Sequence, residues 1–390
     1  MRSRQRGLTD RIEGYLPGDD NLEEALDDSL GSPDSPVADQ GWRLLIVGAG
    51  QRTVDVLLPA LHRAMPTARV TAICDPDPAV AVRIAGLTQA GRLVDDVSVF
   101  AELDRALAAG PYQVAILACP HDLHQEATLR LTDAHIAVWK EKPYALTLQQ
   151  AAQLAPRNVR VLAHRPHLQL LQIATDRMAA WGRLLSYRIR ITRPTGDYTG
   201  TWRASAERAG GGAICDLGYH AFDLISRLTG GPSARPATVY AVTTGSPVHR
   251  PAVEVEESAH LTITHVDGCA GTVHLSRCEE RADEIDLVTE QGRITISGDQ
   301  SVLRITTPAG RTHHAEVTAA DDDPWAAMLC HHAQTLGDTA VTAAEARIGI
   351  AATALMEAAY TSVRLGRPAH VASCAGAAPV TVPTLEGRAS

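Results

Sequence analysis

Residues 43–48 read RLLIVG and residues 53–65 read TVDVLLPALHRAM, with Ala49-Gly50-Gln51-Arg52 between them. The first run is compact and apolar and closes on glycine, which marks a buried strand. The second places its apolar residues at helical spacing. A strand that turns through glycines into a helix is built to hold a pyrophosphate. Gly48 permits the tight turn, and Gly50, lacking a side chain, lets phosphate approach the backbone. Gln51, Arg52 and Thr53 open the helix whose amides face the anion. Thr53 stands where a third glycine is usual, so the helix must meet the strand more loosely or in a rearranged way. Asp75 lies 25 residues beyond Gly50, at the end of the next apolar run, RVTAIC. An acid there accepts hydrogen bonds from the adenosine ribose, although Asp75 also begins DPDP, a turn that favours Asp. Asp75 and Asp77 repel a 2′-phosphate while Arg52 attracts one, and the balance favours NAD over NADP.

Outward from this loop, strand and helix alternate. A helix at 79–86, a helix in AELDRALAAG, the strand YQVAILAC, the helix HQEATLRLTDA, the strand HIAVW and the strand VRVLA at 159–163 follow in order. Such alternation predicts a parallel sheet covered on both faces, an α/β Rossmann dinucleotide-binding domain over 41–163. The rhythm then changes. LLSYRIRIT reads as a long strand, and a glycine turn at 210–212 opens a helix reaching 228. Between 237 and 317 short runs such as ATVYAV, SAHLTITHV and EIDLVTE alternate with turn pairs. These predict an α+β domain with a mostly antiparallel open sheet, over 164–368. Helices near 324–335 and 343–365 end it, the latter placed to pack back on the first domain.

The flanks differ. Residues 1–40 hold ten acids and four arginines and predict a disordered acidic extension with a short helix around 21–30. Residues 369–390 predict a loosely ordered tail. The chain as a whole carries −9, with 45% hydrophobic residues and only two phenylalanines, so its core rests on aliphatic side chains. No basic stripe favours nucleic acid. No run approaches the roughly 18 apolar residues of a membrane span, and no secretory signal is evident. Seven scattered cysteines without a C-x-x-C pair speak against structural zinc and for a reducing compartment, so the expected location is cytoplasmic. The adjacent pairs His313-His314 and His331-His332 point apart on a strand or a helix and do not predict a metal site.

Three ordered motifs carry a resemblance: the glycine loop, Glu141-Lys142-Pro143 after HIAVW, and Gly210-Gly211-Gly212 leading to Asp216-Leu217-Gly218-Tyr219-His220. Together they resemble the glucose–fructose oxidoreductase/inositol dehydrogenase (Gfo/Idh/MocA-like) family, over roughly residues 42–368. The resemblance implies a nicotinamide cofactor, an open-sheet second domain and a homo-oligomer, dimer or tetramer. It also implies that Lys142, Asp216 and His220 surround the reacting carbon. The chemistry of the residues agrees. Asp216 and His220, four apart, share a helix face, where a carboxylate can orient an imidazole. His220 is then the proton acceptor, and Lys142 a cationic donor to substrate oxygen and nicotinamide ribose. Pro143 keeps Lys142 extended. Pro120, His124 and Glu141 are further candidates near the cofactor. Tyr144, Arg165, His167, Trp202 and Tyr219 are candidates for the substrate, with Arg165 suited to a phosphate or carboxylate. Asp223 is expected to cap or pair within its own helix.

The activity these residues predict is hydride exchange between nicotinamide and a secondary alcohol or ketone of a polyol, sugar or nucleotide-sugar, a small-molecule substrate. Imine reduction in a biosynthetic pathway, a redox-assisted glycosidase that retains NAD, and a non-catalytic nucleotide sensor are the alternatives. The Lys142, Asp216 and His220 trio argues against the last.

Overall fold

The computed structural model describes residues 41–89, 97–229, 235–245, 253–297, 301–306, 312–316 and 323–372. The acidic segment 1–40, with its expected helix, lies outside the described residues, as does 373–390. Six strands form one parallel sheet: β1 (Arg43–Val47), β2 (Arg69–Cys74), β3 (Ser98–Phe100), β4 (Val114–Leu117), β5 (Ala137–Lys140) and β6 (Val159–Val161). Their order is β3-β2-β1-β4-β5-β6. β4 and β5 are buried at every position, which is why the first of them reads as a continuous apolar run rather than an alternation. The order reverses at β1, which pairs with β2 on one side and β4 on the other. Beyond the carboxyl ends of β1 and β4 lies the crevice where such sheets bind ligands. The short strand β3 adds an edge that the sequence pattern did not reveal.

Among the described residues, nine α-helices lie between β1 and the strand at Pro236–Thr244. α1 (Leu58–Ala64) follows a π-helical turn at Thr53–Leu57. α2 (Ala79–Gln89), α3 (Leu103–Ala108), α4 (His124–Asp133) and α5 (Leu148–Leu154) complete the first layer system, and α6 (Gln169–Ala180) leads to the second sheet. The short helices α7 (Ala206–Ala209) and α8 (Ala213–Asp216) precede α9 (Gly218–Leu228). The predicted single helix from the glycine turn to Leu228 is therefore broken at Leu217.

The second sheet has nine strands: β7 (Leu184–Thr192), β8 (Pro236–Thr244), β9 (Ser258–His265), β10 (Ala270–Ser276), β11 (Ala282–Thr289), β12 (Gly292–Ser297), β13 (Val302–Thr306), β14 (Thr312–Glu316) and β15 (Ala369–His370). Their order is β14-β13-β12-β11-β7-β10-β9-β8-β15. Every pairing is antiparallel except β7 with β10. On β7, Tyr187, Ile189 and Ile191 point into the core while Arg188 is exposed and Arg190 pairs with Glu279 on the other face. α9 packs on the inner face. The expected loose tail needs correction at its start, because Ala369 and His370 pair with β8 and Val371 N donates to Ala237 O at 2.9 Å.

Two last helices follow, and the second ties the sheets together. α10 (Pro324–Gln334) buries Met328, Leu329 and Ala333 in one cluster with Leu44, Ile46 and Leu61 of the first sheet and its helix. α11 (Thr339–Leu365) begins at an Asp338 cap whose carboxylate accepts from Ala340 N and Val341 N, four residues before the helix expected from sequence. It reaches back to the first layer, where Glu357 Oε1 accepts from Leu148 N at 2.8 Å.

Candidate active site

The glycine loop sits at the carboxyl end of β1. Gly48 adopts φ +92°, and a Cβ there would lie 2.7 Å from the backbone of Ala118 and Cys119, so the crossing to β4 requires glycine. Gly50 is different: apart from its chain neighbours, no described protein atom lies within 4 Å of where its Cβ would stand. The fold does not need that glycine, but a pyrophosphate against the backbone does. Asp75 fastens the loop, its Oδ2 accepting from Ala49 N at 2.8 Å and its Oδ1 from Asp77 N at 3.0 Å. Both roles weighed from sequence are thus compatible, since each oxygen keeps a lone pair for a ribose hydroxyl. Thr53 is buried and donates its hydroxyl to Gly48 O at 2.7 Å. The helix absorbs this side chain by opening with its π-helical turn, which is the rearrangement that the missing third glycine demands. Arg52 points across β4 rather than toward Asp75. It pairs with Glu141 at 3.5 Å and lies over the Trp325 ring, 5.2 Å from its centroid. The open space at Gly50, the anchored Asp75 and the helix start fit a dinucleotide.

Across the crevice, Glu141 N donates to Leu117 O at 2.7 Å and the Lys142–Pro143 peptide is cis. Lys142 is buried; its Nζ donates to Asp216 O at 2.9 Å and forms an ion pair with Asp216 Oδ1. With two of three ammonium hydrogens engaged, one remains for a ligand oxygen. Asp216 is delivered by the glycine turn. Gly210 and Gly211 have positive φ, and a Cβ on Gly211 would run into the Tyr360 hydroxyl, one on Gly212 into Glu256 O. Buried Glu256 caps the start of α8, accepting from Gly212 N at 3.0 Å and Ile214 N at 2.8 Å, with Tyr360 donating at 3.0 Å. Burial would raise the Asp216 pKa, but Lys142, then Arg277 and Arg203, hold the carboxyl well below its usual range.

The expected Asp216–His220 pair does not form. Lys142 takes the carboxylate and no hydrogen bond joins Asp216 to His220. His220 is half-buried at the start of α9, its ring edge-on to His164 at 5.8 Å. His164 stacks on Trp325 at 4.2 Å. Burial, then the charges of Arg165 and Lys142, push the His220 pKa well below that of a free imidazole, so it is neutral at pH 7. It is an acceptor in waiting, held without a carboxylate.

The remaining candidates divide. Trp202 is half-buried, its ring 4.7 Å from His121, and His121 is electrostatically coupled to Lys142 and Asp216. Trp202 therefore borders the site. Arg165 is buried and paired to Asp283 at 2.5 Å. Tyr144 and Tyr219 require correction as substrate contacts: they are 1% and 0% exposed and belong to the core. Tyr144 fits there because Gly349 of α11 leaves room against its ring. His167 joins His331, 5.4 Å between rings, rather than the Lys142 group. Pro120 precedes a 3-10 turn at His121–Leu123, and His124 is buried with Nε2 2.9 Å from Cys119 O. Asp223 pairs within its helix, with Arg227 at 2.9 Å. Sequence reasoning missed His164, Trp325, Glu256 and Arg193. None lies in a motif, and only the tertiary fold brings them to the site.

A dinucleotide loop facing a lysine–aspartate pair and a neutral histidine defines an NAD-binding oxidoreductase. Residues 42–160 match the family model described as "Oxidoreductase family, NAD-binding Rossmann fold", and 177–304 match the GFO/IDH/MocA C-terminal domain. The chain belongs to the GFO/IDH/MocA oxidoreductase family. It is 27% identical over 276 residues to an Amycolatopsis mediterranei protein assigned as the oxidoreductase subunit of a UDP-kanosamine synthase, covering 64% of this chain and 72% of that one. The WlbA dehydrogenase of Bordetella pertussis, solved with NADH and UDP-GlcNAcA, aligns with a TM-score of 0.67 at 22% identity, over 87% of this chain and 100% of that one. Levoglucosan dehydrogenase, solved with NADH and levoglucosan, aligns with a TM-score of 0.72 at 17% identity, over 86% of this chain and 100% of that one. No described helix is long and apolar enough to cross a membrane.

Proposed function

We propose that the chain oxidises a secondary alcohol of a sugar or nucleotide-sugar with NAD, and reduces the ketone in reverse. The observation that carries this is the Lys142–Asp216 ion pair beside a neutral, half-buried His220. The Gly48–Thr53 loop, Asp75 and Glu141 would hold the dinucleotide, which supplies the hydride acceptor when bound. Lys142, fixed by Asp216, donates its free N–H to the substrate oxygen and stabilises the negative charge developing there. His220 accepts the hydroxyl proton as the C–H hydrogen leaves with its electron pair, so the carbon becomes a carbonyl. Trp202 offers a flat wall to a sugar ring. NAD is favoured over NADP, because Asp75 occupies the ribose end and Arg52 is drawn away by Glu141. The sugar substrate is also what relatives such as the UDP-kanosamine synthase subunit and levoglucosan dehydrogenase support.

The test is absorbance at 340 nm with NAD or NADP against polyols, sugars and nucleotide-sugars. The expected result is NAD reduction with one substrate class, and a His220→Gln variant slower by about 10²–10⁴-fold with NADH binding intact. Absence of reduction across the panel, or a His220→Gln variant as fast as the parent, overturns the assignment.

A further inference from the structure

Building on the oxidation proposed above, we infer that the substrate is an anion, bearing a carboxylate or phosphate, and that Arg193 holds the negative group. Side chains on β7 alternate, with Tyr187, Ile189 and Ile191 on the inner face. Arg193 continues that strand by one step, its N donating to Ser276 O at 2.9 Å. It therefore belongs to the inner face, the one that packs on the helix bearing His220.

The neighbouring charges decide what Arg193 is for. Asp283 stands opposite Ile191 in the β7–β11 register and is paired with Arg165 at 2.5 Å. Arg165, the residue that the sequence marked for an anion, thus arrives neutralised. Asp216 is likewise committed to Lys142. No described carboxylate forms an ion pair with the Arg193 side chain, and its Nε is buried with no hydrogen-bond partner. Arg203 forms no ion pair among the described residues either, and lies over Trp202 at 4.2 Å and Tyr198 at 5.9 Å. Both guanidinium groups feel Asp216, and Arg193 also feels Asp283, but those carboxylates are held in ion pairs by Lys142 and Arg165. A desolvated guanidinium that lacks an anion is unfavourable, and its planar fork matches carboxylate and phosphate oxygens in pairs.

The arrangement also couples binding to chemistry. Burial, then the like charges of Arg165 and Arg281, lower the Arg193 pKa, and Arg193 in turn helps depress His220. An anion on Arg193 offsets that repulsion and makes His220 a stronger proton acceptor only when substrate is present.

The experiment is calorimetric titration of the NADH-saturated protein at low salt with glucuronate, UDP and glucose. At least one anion should bind tenfold or more tightly than glucose. Arg193→Met should lose tenfold or more of that affinity while glucose affinity stays within twofold, and Arg193→Lys should retain part of it. Binding of glucuronate alone places the charge on the sugar ring, whereas binding of UDP alone places it on a diphosphate. Equal or absent binding of charged and neutral probes overturns the inference, as does an Arg193→Met variant that keeps its anion affinity. NADH fluorescence titration establishes that each variant is folded, with Arg193→Gln as the substitute should Met fail. Binding is read without turnover. Selective anion binding with no cofactor reduction would remove the oxidation and leave the anion site, and the reverse result would do the opposite.

Discussion

Gly50 and Gly48 lie two residues apart in one loop, yet the structure predicts opposite consequences for adding a methyl group. At Gly50 no described protein atom beyond its chain neighbours lies within 4 Å of the new Cβ, so Gly50→Ala should change stability by no more than about 0.5 kcal/mol, the usual range for an uncrowded surface site. The same methyl would stand where a pyrophosphate approaches the backbone. Forcing a methyl into a packed contact costs about 1–3 kcal/mol, which weakens NAD binding by roughly 5- to 150-fold. At Gly48 the Cβ would lie 2.7 Å from the Ala118 and Cys119 backbone, at φ +92°. That variant bears the overpacking cost plus about 1–2 kcal/mol for the left-handed backbone, all of it without ligand. The assay is paired: thermal unfolding without cofactor, and NADH affinity from fluorescence. Gly50→Ala should unfold with the parent and bind weakly, while Gly48→Ala should unfold early. A Gly50→Ala protein with parental NADH affinity would refute the placement of the cofactor on this loop.

Two further outcomes follow from the same structure. Burial holds His121, His167 and His332 near pKa 3 and leaves His124, His164 and His220 well below 6.5. Below about pH 6.5 the unfolded chain therefore binds protons that the native one refuses, so stability falls with pH, by up to about 1.4 kcal/mol per histidine at pH 5.5. Thermal midpoints should drop steeply between pH 6.5 and 5.5; a flat profile there would refute neutral burial. Separately, Arg165→Ala takes from Asp283, which is 7% exposed, the guanidinium paired with it and should lower stability by up to about 3–5 kcal/mol. Arg165→Met with Asp283→Leu should recover most of this in a melting experiment, and a single variant as stable as the parent would remove the pair from the fold's supports.

The two sheets were legible because buried strands and amphipathic helices repeat with periods that burial imposes. RLLIVG, RVTAIC and YQVAILAC read as near-continuous apolar runs because both faces of their sheet are covered, and SAHLTITHV alternates because only one face of its sheet meets helices. β3 escaped notice because three residues are too few for a period. Thr53 showed that a motif can lose a glycine and keep its turn, since a π-helical opening and one hydroxyl bond replace it.

The active site was legible only as far as its motifs, and the reason is competition between local and distant partners. Spacing brings Asp216 within one helical turn of His220, and on that ground alone the two should pair. Lys142, 74 residues away in sequence, brings a full positive charge to the same carboxylate. A bond between two full charges outcompetes one from a neutral imidazole N–H to the same carboxylate. Once Lys142 has taken Asp216, His220 is left among Arg165, Arg193 and Lys142, and its neutrality follows from that cationic company as well as from burial. The glycine triplet has the same origin, since Glu256, 44 residues on from Gly212, caps the helix that carries Asp216. A sequence read along its length gives the groups that can react. Which of them hold one another, and so which is left free to move a proton, is set by residues the chain brings back from far away.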